Sequence, residues 1–444
     1  MPGMFNALNS LPLADVESTT VKSLQNAALY ICFAFLGLLA GGLNNIMGPR
    51  FLAAIGGTGY ALYAAAQYNI FKNGASLDSN PYGQSFSIFS GAYLGVCAGM
   101  LWAAQGQICL TYPTESQKGT FFATFWIIFN MGAVVGNIVS TIIVWDDHDE
   151  AAITHAVYFF YIIMMQCGSL AAMLIQPPAT IVREDNTKVE TPPTNAWHEF
   201  TQILKLFKNP ALLTLLLPCL ASNWFYYFQF NVFTKSFTGR SANVNAVFYW
   251  ISQSIGAWVL GHMFLDNTKY PRITRAWTGF YILVVTTLVV FGAGAAFEYS
   301  TGRGHFALDT KEADRQLIDI VDHPLQFIGP CILYACYGVY DAFFQVYTNY
   351  LIGAISNDSK TLSRYSGFYK GTQSLAGGIS WALPSVIFPN DAMTSQTQFW
   401  IMVGPCALSV VFWALFVKHY VKNTTVEETV ELDILFLREK GLIR

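Results

Sequence analysis

Eleven long apolar stretches constrain this chain more than any other feature. They run roughly over 27–47, 51–71, 84–111, 120–145, 155–176, 210–234, 242–265, 274–297, 325–355, 362–388 and 397–420. At about 1.5 Å per helical residue, each is long enough to cross a hydrocarbon core roughly 30 Å thick. Lipid offers no partner to a bare N–H or C=O, so a crossing segment of this kind must be a helix. Only 11% of the 444 residues are charged, where a soluble domain carries about a quarter. The expectation is an all-α, multi-pass membrane protein.

The apolar stretches are also duplicated. Asn26, Ala27, Tyr30, Gly37 and Gly42 recur as Asn245, Ala246, Tyr249, Gly256 and Gly261, at one constant offset. A repeat this long, built on apolar helices, points to a duplicated transporter rather than a solenoid. The longest polar interruption, 177–208, carries Pro177, Pro178, Pro192 and Pro193 and reads as the linker between halves. The expected organisation is a helical bundle over 1–176, the linker 177–208, a six-helix bundle over 209–420 and a tail over 421–444. In the second half the stretch 210–234 precedes the repeat, whereas residues 1–25 are too polar to match it. The first bundle is therefore expected to lack its first helix, giving five spans and six. The tail is expected to form at most one short surface helix, with Val426, Val430, Ile434 and Leu437 on one side.

Several function classes are disfavoured. The net charge is −3 and no basic block exists, so nucleic acid is not an expected partner. The eight cysteines all lie in apolar segments, without metal spacing or a disulfide framework. No nucleophile–base set or phosphate-cradling loop is present, so neither an enzyme nor a cofactor or metal is expected. Residues 1–25 lack the apolar core of a cleavable signal.

Lys and Arg set the orientation. If the linker and the C-terminus face the cytosol, that side holds Arg50, Lys118, Arg183, Lys188, Lys205, Lys208, Lys269, Arg272, Arg275, Lys360, Arg364 and every basic residue after 417. The other side holds only Lys22, Lys72, Lys235, Arg240, Arg303, Lys311 and Arg315. That asymmetry favours a cytosolic linker and C-terminus. The acidic run Asp146, Asp147, Asp149 and Glu150, with His148 and His155 nearby, then faces outward, as a solvated loop or a cation-attracting one.

Two charges sit well inside apolar stretches: Asp341 and Lys370. Each costs at least a few kcal/mol in lipid, so both are expected to face the interior. They lie on consecutive antiparallel segments, either as a substrate or proton site or as a static pair. Around them Tyr334, Tyr337, Asp341, Gln345 and Thr348 share one helix face, as do Lys370, Gln373, Gly377 and Trp381. In the first half Trp102, Gln105, Gln107, Cys109 and Tyr112 crowd one segment end, followed by Trp126 and Asn130. The expected cavity lining is Trp102, Gln105, Tyr112, Asn130, Asn223, Tyr226, Gln253, Tyr337, Asp341, Gln345, Lys370 and Gln373, with interhelical hydrogen bonding as the competing account. Gly91, Gly95 and Gly99, and likewise Gly132 and Gly136, are spaced by four and read as helix-packing positions.

Several motifs together resemble the uncoordinated-ninety-three-like (Unc ninety-three-like) family of the major facilitator superfamily, in its fungal branch. They are the series Trp102, Gln105, Gly106, Tyr112, Pro113, Lys118, Gly119, Trp126, Asn130 and Gly132, then YGVYDAFFQ (337–345) and GFYKGTQ (367–373). The loops GGLNNIMGPR (41–50) and GHMFLDNTKYPR (261–272) resemble worn copies of that superfamily's loop motif, with Asn45 where an acid is usual. The resemblance implies a major facilitator-type fold of two bundles around a central cavity, with eleven crossings present here. It leaves two roles open. One is a secondary transporter of a small solute or ion, with Asp341 as proton or cation carrier and Lys370 as counter-charge or anion anchor. The other is a non-transporting regulator or trafficking partner of another membrane protein. The implied partners are the lipid bilayer, an unidentified small solute or ion and, in the second role, a protein.

Overall fold

Among the described residues, ten of the eleven apolar stretches are carried mainly by one long helix, and the exception lies beside the buried charges. The structure, a computed structural model, describes residues 1–9, 19–73, 81–114, 117–144, 150–184, 186–189, 195–300, 316–383 and 393–423. Its helices are α1 (Pro2–Asn9), α2 (Thr19–Met47), α3 (Pro49–Asn73), α4 (Pro81–Thr111), α5 (Lys118–Val144), α6 (Glu150–Ala171) and α7 (Ala196–Leu206). They continue with α8 (Pro210–Thr214), α9 (Leu216–Ala221), α10 (Gly239–Trp258), α11 (Arg272–Tyr299), α12 (Pro324–Gly353), α13 (Ser359–Ala382) and α14 (Ser395–Tyr420). The acidic run 146–149 and tail residues 424–444 lie outside the described residues.

The stretch 210–234, expected as one span, is broken. It forms α8 and α9, an irregular turn over 222–225, a π-helical turn Phe228–Val232 and a 3-10 turn Phe233–Ser236. Asn209 caps α8, its Oδ1 accepting from the Ala211 N–H at 3.0 Å. Pro218 has no N–H to give the Thr214 carbonyl, which falls at the α8–α9 break, and the ladder opens again over 222–225. Helix α13 takes up the freed carbonyls: Ser380 Oγ donates to the Trp224 carbonyl at 2.7 Å, and Gln373 Nε2 to that of Ser222 at 3.5 Å. Non-helical backbone at membrane depth survives only where protein satisfies it in this way.

Within residues 1–25, Pro2–Asn9 forms the eight-residue α1, too short to cross a membrane. It packs on α5, where Gly3 and Ala7 fit against Gly132 and Gly136.

Two bundles result, one from α1–α6 and one from α8–α14. They meet along two seams, α2 on α13 and α5 on α10. Helices α2 and α10 carry the sequence repeat, and α5 and α13 each come fifth in their bundle when the broken span α8–α9 counts as one, so the seams are related by internal symmetry. Glycines bring the α2–α13 backbones together: a Cβ on Gly37 would meet Gly371, and one on Gly41 would meet the Ser363 carbonyl. Small residues allow this approach where helices have no hydrophobic drive to associate. Gly91, Gly95 and Gly99 do the same for α4 on α2.

The outer surface is apolar. Ile31, Phe35, Ile128, Ile142 and Leu288 are between 67% and 71% exposed, far more apolar surface than water tolerates. Among the described residues, six helical segments are long and apolar enough to cross a membrane: Leu24–Met47, Pro81–Thr111, Lys118–Val139, Arg272–Tyr299, Pro324–Gly353 and Ser395–Tyr420. Helix α13 is less apolar for a physical reason. It is buried nearly all round, so its polar side chains face protein rather than lipid.

Candidate functional site

Helices α12 and α13 bring four of the expected residues into one hydrogen-bonded chain. Lys370 Nζ donates to Gln373 Oε1 at 2.8 Å. Gln373 Nε2 donates to Gln345 Oε1 at 2.9 Å, and Gln345 Nε2 donates to Asp341 Oδ1 at 2.7 Å. Every donor points from the ammonium towards the carboxylate. Asp341 is fully buried, and its other oxygen accepts from Tyr249 Oη at 2.9 Å and from Gln253 Nε2. The two charges are thus joined by two amides and form no ion pair, so the flexible lysine stem does not close the gap directly.

Lys370 has no carboxylate within ion-pair distance among the described residues. Its Nζ lies 4.3 Å from the centre of the Trp102 ring and 5.0 Å from that of Tyr369. A desolvated ammonium over an aromatic face gains cation–π attraction but keeps its charge unneutralised. Trp102 is fixed from behind: its Nε1 donates to Tyr60 Oη at 3.1 Å, and its ring packs edge-on to Phe125 and Phe129.

Tyr249 was not singled out as a site residue, nor were Gln229 and Tyr369. Tyr249 Oη lies 2.9 Å from both Asp341 Oδ2 and Gln229 Oε1. A phenol has one proton, so only one of these acceptors can hold it at a time. Tyr249 is the repeat partner of Tyr30 and stands one helical turn before Gln253, which is the signal that would have found it.

Other expected residues sit around this core. Tyr226 Oη accepts from Gln345 Nε2 at 2.9 Å. Asn223 lies in the broken span, beside Gly377 of α13. Gln105 is half-buried on α4 and donates to Cys109 Sγ at 3.2 Å. Asn130 is fully buried on α5, and neither atom of its amide has a hydrogen-bond partner among the described residues. Two residues are not brought into the chain. Tyr112 sits at the end of α4, where its hydroxyl donates to the Gln176 carbonyl at 2.7 Å. Tyr337 turns into the second bundle, its ring against Phe228 and Phe233 and its hydroxyl towards Gly294 of α11.

The bundle end that carries the linker is held by polar contacts between the halves. Asp266, just after the π-helical turn Val259–Leu265, accepts from the Gly119 and Thr120 N–H groups at 3.0 and 2.5 Å, capping α5. Burial pushes the Asp266 carboxyl up to about 6, although those two N–H groups favour its ionised form. In return Lys118 Nζ donates to the carbonyls of Gly353 and Ser356 at 3.0 and 3.4 Å, capping α12 with a cation. On the other seam Asn45 stands where the loop motif usually has an acid, and the carboxylate comes from Glu199 of α7 instead. Glu199 accepts from Arg364 Nε and Nη2, each at 2.8 Å, and from Asn45 Nδ2 at 3.0 Å. At the opposite end Arg240 grips Asp319 through Nε and Nη2 at 2.7 and 2.6 Å. Burial alone would raise the Asp319 carboxyl, but Arg240, Thr238 and two backbone N–H groups hold it well below the usual carboxylate range.

Two symmetry-related bundles, a broken helix and a charged centre shielded from lipid define a membrane protein of transporter fold. A family model described as Major Facilitator Superfamily matches residues 3–304. UNC93-like protein 1 of Arabidopsis thaliana is 33% identical, over 96% of this chain and 89% of its own length. An UNC93-like protein of Schizosaccharomyces pombe is 36% identical, over 87% of this chain and 74% of its own length. The chain therefore belongs to the major facilitator superfamily and, within it, to the UNC93-like family. The solved proton:xylose symporter XylE superposes with a TM-score of 0.62 at 12% identity, covering 97% of each chain, a likeness of fold alone.

Proposed function

We propose that this chain is a secondary transporter that moves a small monoanionic solute together with a proton by alternating access. One observation carries the reading: Lys370 is a buried cation with an aromatic wall, paired with no carboxylate among the described residues, and wired through Gln373 and Gln345 to Asp341. When the site is empty, Asp341 is ionised and offsets Lys370 at a distance. When it is loaded, the proton neutralises Asp341 and the solute's anionic group neutralises Lys370. Net charge in the interior is the same in both states, so neither crossing carries an extra charge through low dielectric. Trp102, Tyr226, Gln105 and Asn130 supply the wall and the neutral hydrogen-bonding groups.

In this reading the moving bodies are residues 1–176 and 209–420. The linker 177–208 and the tail lie on the cytosolic side of the membrane, in keeping with the Lys and Arg asymmetry.

The test is thermal stabilisation of purified protein by a panel of small monocarboxylates, neutral sugars and alkali cations, followed by uptake into proteoliposomes. A monocarboxylate should raise the melting temperature of wild type but not of Lys370→Met, and Asp341→Asn should abolish the pH dependence of its uptake. Equal stabilisation of wild type and Lys370→Met would reject the anion site. No solute response, with co-purification of one stoichiometric membrane partner, would favour an accessory role instead.

A further inference from the structure

Helix α7, in the segment between the bundles, has three distinct faces. At about 100° per residue, Glu199, Ile203 and Leu206 fall on one face and are buried, with Gly42 of α2 seated against Glu199 and Ile203. His198 and Lys205 fall on a second face and are exposed, as is Lys208 in the turn just past the helix. Trp197, Phe200, Leu204 and Phe207 form the third, and they are 74%, 42%, 52% and 45% exposed. A helix lying in bulk water needs two faces, one for protein and one for solvent. A third, aromatic face beside a row of cations is what a helix needs at the rim of a membrane protein, where protein, acyl chains and headgroups meet. Exposed apolar surface lies nearby on α2: one turn beyond Gly42, Ile46 and Met47 are 45% and 40% exposed.

We propose that α7 is seated in the membrane interface, with its aromatic face in the acyl boundary and Lys205 and Lys208 on anionic headgroups, and that this seating holds the linker-end latch shut. The seat and the latch share one short segment, 196–208. Glu199, on the protein face, bonds both Arg364 in the first turns of α13 and Asn45 in the last turn of α2. It is thus the clasp of the α2–α13 seam at this end. Lifting α7 from the lipid withdraws the carboxylate that Asn45 cannot supply. Lipid charge then becomes an input to the equilibrium between closed and open forms of the bundle end. The inference does not depend on which solute the protein carries, or on whether it carries one.

Hydrogen exchange read by mass spectrometry on the full chain in nanodiscs tests this, comparing phosphatidylcholine alone with a mixture containing phosphatidylglycerol. In the mixed discs, the amides of 196–208 and of 359–366 should both exchange at least about tenfold more slowly. Trp197→Ser combined with Phe200→Ser, both at exposed positions, should remove protection from both segments while leaving α11 and α14 unchanged. Lys205→Gln combined with Lys208→Gln should remove only the increment due to phosphatidylglycerol. Exchange of 196–208 that is the same in both discs overturns the headgroup contact. Exchange that is also indifferent to the Trp197 and Phe200 substitutions overturns the seating altogether and leaves the aromatic face to a protein partner. Protection of α7 that changes without any change in 359–366 overturns the coupling to the latch.

Discussion

Asp341 and Lys370 are linked but do not touch: the amides of Gln345 and Gln373 stand between them, each donating towards the carboxylate. A directional chain of this kind lets the protonation state at one end be felt at the other without an ion pair that would lock both.

Gln345 is the link that tests this. Gln345→Leu keeps the volume but removes one donor from Asp341 and one acceptor from Gln373. It should cost about 1–3 kcal/mol of stability, the penalty for stranding a buried polar partner. It should also leave solute-induced stabilisation independent of pH. Thermal melts of wild type and variant across pH 5.5–8, with and without solute, read both quantities. A variant that keeps the full pH response shows that the chain does not carry the coupling.

The α2–α13 seam makes a steric prediction. Gly371→Val places its branch into Leu38, in a site with no slack, and should lower stability by about 1–3 kcal/mol. Gly292 faces open space, so Gly292→Ala should be neutral or slightly stabilising in the same melt.

The Glu199–Arg364 pair is bidentate, with side chains only 2% and 10% exposed. Removing either partner alone leaves the other charge buried and should cost about 3–5 kcal/mol. Glu199→Gln and Arg364→Gln should therefore each destabilise more than the double variant does. A double-mutant cycle by chemical denaturation in detergent gives the coupling, and additive effects would show that the two residues act independently.

Asp266 predicts a pH dependence with a defined sign. Seated on α5, its carboxyl titrates near 6, whereas a solvated aspartate titrates near about 4. Protonation therefore favours the seated form. That stabilisation is complete below about 4 and is lost as pH rises through 6. After correction for intrinsic rates, amides in the first turn of α5 should lose protection between pH 5 and 7.5. Lys118, His262 and Arg275 lie near Asp266, so the control is Asp266→Asn, in which the dependence should disappear.

Much of this was legible in the sequence because charge in an apolar helix is costly and therefore conspicuous. Asp341 and Lys370 announce themselves that way, and Gln345 and Gln373 follow from helical spacing. Tyr249 and Gln229 do not, since a neutral polar side chain in an aromatic-rich helix carries no such penalty and its facing is decided by packing. The same ambiguity leaves open from sequence that Tyr112 bonds the Gln176 carbonyl and that Tyr337 turns into its own bundle. Pro218 signals the broken span, but hydropathy alone averages over it. Glu199 reads as an ordinary linker charge, because nothing local reports a partner 165 residues away.

The most direct measurement of the central claim is the proton count on binding. A stabilising monocarboxylate, added to purified protein in weakly buffered solution above pH 7, should be accompanied by uptake of about one proton per anion bound. The uptake should vanish in Asp341→Asn. Binding of the anion with no proton taken up by wild type would contradict the account.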